Sequence, residues 1–143
     1  MITCTRRLTF CAGHRVLGHE SKCAHPHGHN YVVYVTAEAE QLDDVGRVID
    51  FSVLKEEVGG WVDTWWDHGF LLADADTALR AALAGAGNFK TFVMRDNPTA
   101  ENMARYLLHN VCPVVLAGKG VRVVQVRVEE TENCYADAQL PGE

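Results

Sequence analysis

The stretch Cys23-Ala-His-Pro-His-Gly-His-Asn-Tyr-Val-Val-Tyr-Val-Thr-Ala-Glu-Ala39 decides both the fold and the site of this chain. Residues 27–39 are rich in β-branched and aromatic side chains, which predicts a strand. Alternate side chains of a strand share one face of the sheet. His27 and His29 therefore direct two imidazoles at one place, where they are available to a metal ion.

A third histidine lies upstream, in Phe10-Cys-Ala-Gly-His-Arg15, just after an alternating segment that predicts a strand over residues 3–10. If the two strands are neighbours, His14 completes a set with His27 and His29. Three histidines with an open fourth position are typical of a catalytic rather than a structural zinc site. The alternative is that these are ordinary polar residues of two strands. A cupin is excluded, because Val33 and Tyr34 stand where its glutamate would follow the second histidine.

Cys23 lies in a polar loop, roughly residues 15–26, beside Lys22 and His25. Positive neighbours lower the pKa of a thiol and favour the thiolate, which acts as a base or a nucleophile. The alternative is a small buried hydrophobic side chain. The polar surroundings favour the first interpretation.

Asp67 and His68 form a second acid–base pair, in Trp65-Trp-Asp-His-Gly69. A carboxylate beside an imidazole at a helix end fixes the tautomer of the ring. Glu130 ends the clearest strand, residues 121–130. A carboxylate at a strand end accepts two hydrogen bonds from a guanidine-like heterocycle edge, although alone it is also an ordinary solvated strand end.

The composition describes one ordinary domain, residues 1–143, with 48% hydrophobic and 22% charged residues. The net charge of −6 excludes a non-specific nucleic-acid binder. Five cysteines, an odd number without a Cys-x-x-Cys pair, argue against a disulfide scaffold and for a reducing compartment. With no signal-peptide pattern and no membrane-length apolar run, we expect a cytoplasmic protein and no membrane partner.

Between the strands, the hydrophobic period becomes helical. A helix is predicted from Phe51, with Ser52 as its cap and a local weakening at Gly59-Gly60. A short helix is predicted over residues 76–84, and Thr99 is predicted to cap another helix. With a further short strand over residues 89–94, the pattern predicts an α+β domain with an antiparallel sheet and helices on one face.

Several short motifs now occur together, in order and at suitable spacing. They are Phe10-Cys-Ala-Gly-His-Arg15, Cys23 followed after three residues by His27-Gly-His29, Val48-Ile-Asp-Phe51, Asp67-His68, Asn97-Pro-Thr-Ala-Glu101 and Glu130-Thr131. From about residue 3 to about residue 136 the chain resembles the 6-pyruvoyltetrahydropterin synthase and 6-carboxytetrahydropterin synthase family. Each motif alone is weak, but their succession is highly specific.

The resemblance implies a tunnelling fold (T-fold): a four-stranded antiparallel sheet with two main helices on one face. Three subunits join their sheets into a barrel, and two trimers stack into a homohexamer with active sites between subunits. In the resemblance, three residues match the Zn²⁺ ligands of the family: His14, His27 and His29. Four residues match its catalytic groups: Cys23, Asp67, His68 and Glu130.

The resemblance implies that Asp67 and His68 reach each active site from a neighbouring subunit. Glu130 also anchors the pterin, helped by Thr131 and Thr99, while Arg15 and Lys22 are candidates for phosphate contacts.

The spacing of Cys23 resembles the bacterial 6-carboxytetrahydropterin synthases of queuosine and deazapurine biosynthesis. This branch implies a lyase that converts 7,8-dihydroneopterin triphosphate to 6-carboxytetrahydropterin, acetaldehyde and triphosphate. The alternatives are a 6-pyruvoyltetrahydropterin synthase, a non-catalytic zinc- or pterin-binding relative, and a structural zinc protein. A subgroup with a glutamate in this loop is disfavoured by Cys23. The segment around residues 74–88 is longer than in the family's shortest members.

Overall fold

A computed structural model of the chain describes residues 1–142, and within them one six-stranded mixed sheet. The strands in chain order are β1 (Thr3–His14), β2 (His27–Glu38), β3 (Gly69–Ala73), β4 (Thr91–Met94), β5 (Arg122–Thr131) and β6 (Cys134–Gln139). Their order across the sheet is β4-β3-β1-β2-β5-β6. The α+β class and the T-fold are confirmed, but the predicted number of strands is wrong.

The error in the strand count has a physical cause. β1, β2, β5 and β6 form a four-stranded antiparallel unit of the kind that the resemblance implies. β3 and β4 extend it as parallel strands on the other side of β1. Parallel neighbours need a crossover, which a helix between β3 and β4 provides. The long segment around residues 74–88 is this crossover, so the segment adds a strand pair to the sheet.

Three helices accompany the sheet in the described part of the protein. Helix α1 consists of three consecutive segments, Phe51–Leu54, Lys55–Gly59 and Gly60–Trp65, and α2 spans Thr77–Ala86. Helix α3 likewise consists of Ala100–Tyr106, Leu107–Val111 and Cys112–Val115. The middle segments of α1 and α3 are π-helical. No described helix is long and apolar enough to cross a membrane.

The core lies on one face of the sheet. Alternate residues of β1 and β2 are buried, in β1 Leu8, Phe10, Ala12 and His14, and in β2 Tyr31, Val33, Val35 and Ala37. Helices α1 and α3 cover this face with Leu54, Val58, Val62, Met103, Leu107 and Val111. Burial of each large aliphatic side chain stabilises the fold by about 1.5–3 kcal/mol. His14 is thus the last residue of the buried row of β1.

The helix boundaries sharpen two predictions. Asp50, not Ser52, caps α1, because its carboxylate accepts the backbone N–H of Ser52 at 2.9 Å. The weakness predicted at Gly59-Gly60 coincides with the π segment of α1. A Cβ on Gly59 would lie 3.2 Å from Leu8 Cδ2, so glycine lets the helix approach β1 closely. Thr99 caps α3 as predicted.

Candidate metal and acid–base site

The three predicted metal ligands meet at one end of the sheet. His14 and His27 are direct partners in the β1–β2 ladder, and His29 follows two residues along β2 on the same face. The Nε2 atoms of His14 and His27 are 3.1 Å apart. One ligand atom from each of the three rings lies within 4.8 Å of the other two. The antiparallel register of β1 and β2 therefore creates the cluster.

Backbone carbonyls fix the tautomers of two of these rings. His14 Nδ1 lies 2.6 Å from the carbonyl oxygen of Pro98, and His27 Nδ1 lies 2.6 Å from that of His25. A carbonyl only accepts, so each Nδ1 carries the proton and donates. In the neutral ring this leaves the Nε2 lone pair free, as a metal requires.

The third ring supplies the test of fit. His29 Nε2 is buried and has no hydrogen-bond partner among the described residues. An unpartnered buried polar atom is costly unless something else binds it. Imidazole nitrogens about 2.0–2.1 Å from a tetrahedral ion lie about 3.4 Å apart, which is close to the 3.1 Å between His14 Nε2 and His27 Nε2, and the whole cluster lies within 4.8 Å. The residues present therefore fit a divalent metal such as Zn²⁺.

Burial also favours the neutral form of two of these rings. It lowers the pKa of His14, although the hydrogen bond to Pro98 and the charge of Glu130 oppose the shift, and His27 and His29 reinforce it. Burial likewise lowers the pKa of His29, again against Glu130 and with His27. A neutral imidazole is the form that binds a metal. His14 and His29 thus need not lose a proton in order to bind a metal ion.

Glu130 lies beside the cluster. Its Oε1 is 3.4 Å from His14 Nε2 and 3.8 Å from His29 Nε2, and its side chain is 27% exposed. It continues the buried face of β5 beyond Val126 and Val128. The β5–β6 register shifts between Glu129 and Thr131, an irregularity of the kind that re-aims a side chain. Glu130 and Glu101 both line a cavity of about 450 Å³.

Asp67 and His68 pair as predicted. His68 Nδ1 lies 2.9 Å from Asp67 Oδ2, while Asp67 Oδ1 accepts the backbone N–H of Cys11 at 2.9 Å. Partial burial raises the pKa of Asp67, but the hydrogen bonds from Cys11 and His68 and the charges of His68 and Lys90 outweigh it, so the pKa lies below its ordinary value. The carboxylate stays ionised and orients the ring.

His68 itself is 79% exposed and has a positive φ of 59°. Together with His29 it lines an open cavity of about 450 Å³. Cys23 lies in a short 3₁₀ turn, Lys22–Ala24, and is partly buried. Within residues 1–142, no hydrogen bond or ion pair joins Cys23, Asp67 or His68 to the three histidines. One chain thus assembles the metal ligands without a described hydrogen bond or ion pair to the acid–base residues, although His68 and His29 line one cavity.

The residues predicted to bind substrate make structural hydrogen bonds. Thr99 Oγ1 accepts the N–H of Asn102 at 3.1 Å, and Thr131 Oγ1 accepts the N–H of Asn133 at 3.2 Å. Asn97 was overlooked as a site residue. Its side-chain amide exchanges two hydrogen bonds of 2.9 Å with the backbone of Leu17. These bonds tie the loop that carries Cys23 to the turn at Asn97, and the carbonyl of the next residue, Pro98, orients His14. The Asn-Pro dipeptide is the only sequence signal for this turn.

A second overlooked residue is Asp76, whose side chain is 2% exposed. It forms a two-pronged ion pair with Arg15 and accepts the N–H of Leu79, which caps α2. The Arg15 guanidinium lowers the pKa of Asp76, against partial desolvation. Arg15, a predicted phosphate contact, is thus engaged by a buried carboxylate within the protein itself. The sequence pattern before α2 contains nothing that predicts the pairing of Asp76 with Arg15.

Sheet order, two core helices and three convergent histidines define a T-fold protein with a candidate metal centre. The family model described as 6-pyruvoyl tetrahydropterin synthase matches residues 3–140. The chain belongs to this family of pterin synthases, as predicted. It is 37% identical over 137 residues to a protein of Rickettsia bellii named 6-carboxy-5,6,7,8-tetrahydropterin synthase, covering 96% of this chain and 99% of the relative.

Solved structures agree on the fold. The chain matches an uncharacterized protein from Wolinella succinogenes with a TM-score of 0.83 and 24% identity, over 96% of this chain and 97% of that one. It also matches the 6-pyruvoyl tetrahydropterin synthase of Caenorhabditis elegans with a TM-score of 0.67 and 25% identity, over 98% and 96% of the two chains.

Proposed function

We propose that this chain is a zinc-dependent 6-carboxytetrahydropterin synthase, which converts 7,8-dihydroneopterin triphosphate and one water molecule to 6-carboxytetrahydropterin with release of acetaldehyde and triphosphate. The observation that carries the proposal is the cluster of three histidines beside a carboxylate. The name shared by its Rickettsia relatives supports the carboxy product. The pathway would be queuosine or another deazapurine synthesis, and the compartment the cytoplasm.

His14, His27 and His29 would hold the Zn²⁺. When bound, a zinc ion supplies Lewis acidity toward the hydroxyl groups and the developing carbonyl of the substrate side chain. The protein's own contribution is to present three lone pairs without rearrangement, because Pro98 and His25 already hold two of the protons on Nδ1. Internal redox transfer reduces the ring as the side chain is oxidised, so no nicotinamide is required.

The acid–base roles fall to Cys23 and His68. Cys23, as thiolate, removes or shuttles the proton of the acidified C–H bond in the side chain of the substrate. His68 accepts or returns a proton on the opposite side, with Asp67 holding Nδ1 so that Nε2 faces the substrate. The distance of 2.9 Å between His68 Nδ1 and Asp67 Oδ2 and the ionised state of Asp67 support this orientation.

Glu130 would accept hydrogen bonds from the pterin edge, with Thr131 and Thr99 nearby. Its position 3.4 Å from His14 Nε2 also supports a role beside the reacting side chain. Glu101 lines the same cavity and is the second carboxylate that it offers to a guanidine-like edge. Glu130→Gln and Glu101→Gln separate these roles. Replacing the carboxylate that holds the pterin ring should mainly raise KM, whereas replacing one that acts on the side chain of the substrate should mainly lower kcat.

A complete site would need a second subunit. His68 is too exposed for a catalytic residue that works in isolation, and Cys23 has no contact with it within the described residues. We expect a homo-oligomer, a hexamer built as a dimer of trimers, in which Asp67 and His68 face the histidine cluster of a neighbouring copy. The open edges of β4 and β6 are consistent with sheets that join between copies.

The second candidate is 6-pyruvoyltetrahydropterin synthase, which the matched family model and the Caenorhabditis elegans structure favour. It would use the same residues and differ in product. A binding-only relative would bind metal and pterin without turnover. A cobalt titration distinguishes a structural metal site, closed by Cys23 as a fourth ligand, from an open site of three histidines. A Cys23 thiolate ligand gives an intense charge-transfer band, and three histidines alone do not.

The product decides between these functions. Zinc-loaded protein is incubated with 7,8-dihydroneopterin triphosphate, and the products are identified by mass spectrometry beside a chelator-treated control. The proposal predicts a 6-carboxypterin together with acetaldehyde, and neither in the control. A 6-pyruvoyl product without acetaldehyde would assign the second candidate, and no product from zinc-loaded protein would contradict both.

A further inference from the structure

Lys90 reaches from the start of β4 to the turn that carries Asp67 and His68. Its ammonium donates to the carbonyl oxygen of Asp63 at 2.8 Å and to that of Asp67 at 2.6 Å. Carbonyls at the end of a helix lack intrahelical partners, and a lysine there satisfies them and complements the helix dipole. Lys90 thus binds the backbone immediately before His68.

The same lysine also contacts the residues after His68. A Cβ built on Gly69 would lie 3.2 Å from Lys90 Cγ, so the aliphatic stem of Lys90 lies against this glycine. The N–H of Phe70 donates to the Lys90 carbonyl at 3.0 Å, which starts the β3–β4 pairing. One residue therefore fixes the backbone on both sides of His68.

His68 needs such support because of its backbone conformation. It is the one non-glycine residue with positive φ among the described residues. That conformation persists only where the surroundings over-determine it. On the β1 side, the Cys11 backbone accepts the N–H of His68 at 2.6 Å and donates to Asp67. On the other side the support comes from Lys90.

Electrostatics act in the same direction. Partial desolvation raises the pKa of Asp67, and the Lys90 charge is among the influences that lower it, after the hydrogen bonds of Cys11 and His68. An ionised Asp67 is the partner that holds the proton on His68 Nδ1. Loss of Lys90 would therefore loosen the turn and weaken the carboxylate together.

We propose that Lys90 is a positioning residue for the Asp67–His68 acid–base pair, acting through the Asp63 and Asp67 carbonyls and the Gly69 backbone. The inference rests on the proposed function for its effect on turnover, but not for its effect on the ring of His68. A merely structural lysine would alter stability and leave both the ring and kcat per folded molecule unchanged.

The test compares Lys90→Met, which keeps the stem but removes the donors, with Lys90→Arg, which keeps charge and donors. Lys119→Met, an exposed lysine on the turn before β5, is the control. We expect kcat of Lys90→Met to fall about 10-fold, part of the usual contribution of an acid–base pair, with KM and zinc content unchanged. Lys90→Arg is expected to restore most of kcat. If Lys90→Met does not fold, Lys90→Gln takes its place.

A second readout does not depend on turnover. In ¹⁵N-histidine-labelled holoprotein, with His68 assigned by His68→Gln, the wild type is expected to show the Nδ1–H tautomer of His68. Lys90→Met should mix the two tautomers, and Lys119→Met should not. An unchanged His68 spectrum in Lys90→Met would overturn the inference, even if the protein proved to have another substrate. A changed spectrum without turnover on dihydroneopterin triphosphate would overturn the proposed function alone.

Discussion

The metal half and the acid–base half of the site differ in how completely a single copy of the protein builds them. The side chain of His14 is 1% exposed, and its tautomer is fixed by a backbone carbonyl. The side chain of His68 is 79% exposed and lies at the turn after α1. The first half is preorganised by a strand register, whereas we propose that the second is completed by a neighbouring copy of the protein. Metal binding and turnover should therefore be separable by mutation.

The largest effect is expected from removing a metal ligand. His27→Ala should lose both bound zinc and turnover, with affinity falling by more than the roughly 100-fold typical of supporting residues. His25→Ala is the matched control for zinc content, because it keeps the backbone carbonyl that orients His27. Zinc content by atomic emission and turnover are measured on the same samples. Full zinc in His27→Ala would show that the ligand set is wrong.

Removing the proposed base should break only the acid–base half. Cys23→Ala is expected to keep zinc and to lose about 10²–10⁴-fold in kcat, the range for a positioned acid–base group. Cys4→Ala, a partly buried cysteine at the far end of β1, should behave like the wild type. Retention of full turnover by Cys23→Ala would remove Cys23 from the mechanism.

The frame of the metal half depends on the ion pair that follows His14. Asp76→Asn should cost about 3 kcal/mol in the free energy of unfolding, because it leaves Arg15 without its buried partner. Asp74→Asn, in an exposed pair with Arg80, should cost less than about 1 kcal/mol. Denaturant titration measures both, and equal losses would contradict the account.

The same pair sets a pH dependence with a defined sign. The pKa of Asp76 is lowered by folding, so its contribution is fully present above the unfolded value of about 3.9 and disappears as the pH falls through the folded value. The difference in the free energy of unfolding between the wild type and Asp76→Asn should therefore become smaller in strong acid. A gap that stays constant from neutral to acid pH would argue against the ion pair.

The smallest effect is expected at Thr99, where a structural and a substrate role can be told apart. Thr99→Ala should cost about 1 kcal/mol of stability through loss of the α3 cap, and Thr99→Ser should restore it. The metal half should keep its zinc, because Pro98 still orients His14. A rise in KM without any loss of stability would instead assign Thr99 to the substrate.

The metal half was largely predictable from sequence because it depends on local periodicity. The two-residue spacing of His27 and His29 fixes their common face, and β1 needed only to continue to His14. β3 and β6 were missed for a different reason. Gly69–Ala73 has only five residues, and Cys134–Gln139 is rich in small and polar side chains. Both become strands through pairing with neighbours, which no local pattern records.

Long-range contacts account for the rest. The hydrogen bonds of Asn97 to Leu17, of Lys90 to Asp67 and of Arg15 to Asp76 each join residues far apart in the sequence. Arg15, Asn97 and Asp67 belong to motifs of the family, but no pattern in the sequence shows which distant residue each of them contacts. The adjacent Asp67 and His68 predicted the contact between their side chains, and the resemblance added the catalytic role, which stays a prediction; neither could show which residues hold the pair in place.

The most direct test of the central claim, that the two halves meet between copies of the protein, is to mix two inactive variants. Cys23→Ala and His68→Gln are co-expressed, and native mass spectrometry verifies mixed oligomers. If each site takes Cys23 from one copy and His68 from another, random mixing should restore about one quarter of wild-type turnover. Turnover no higher than the average of the two separate variants would show that a single copy supplies both residues, and would contradict the account.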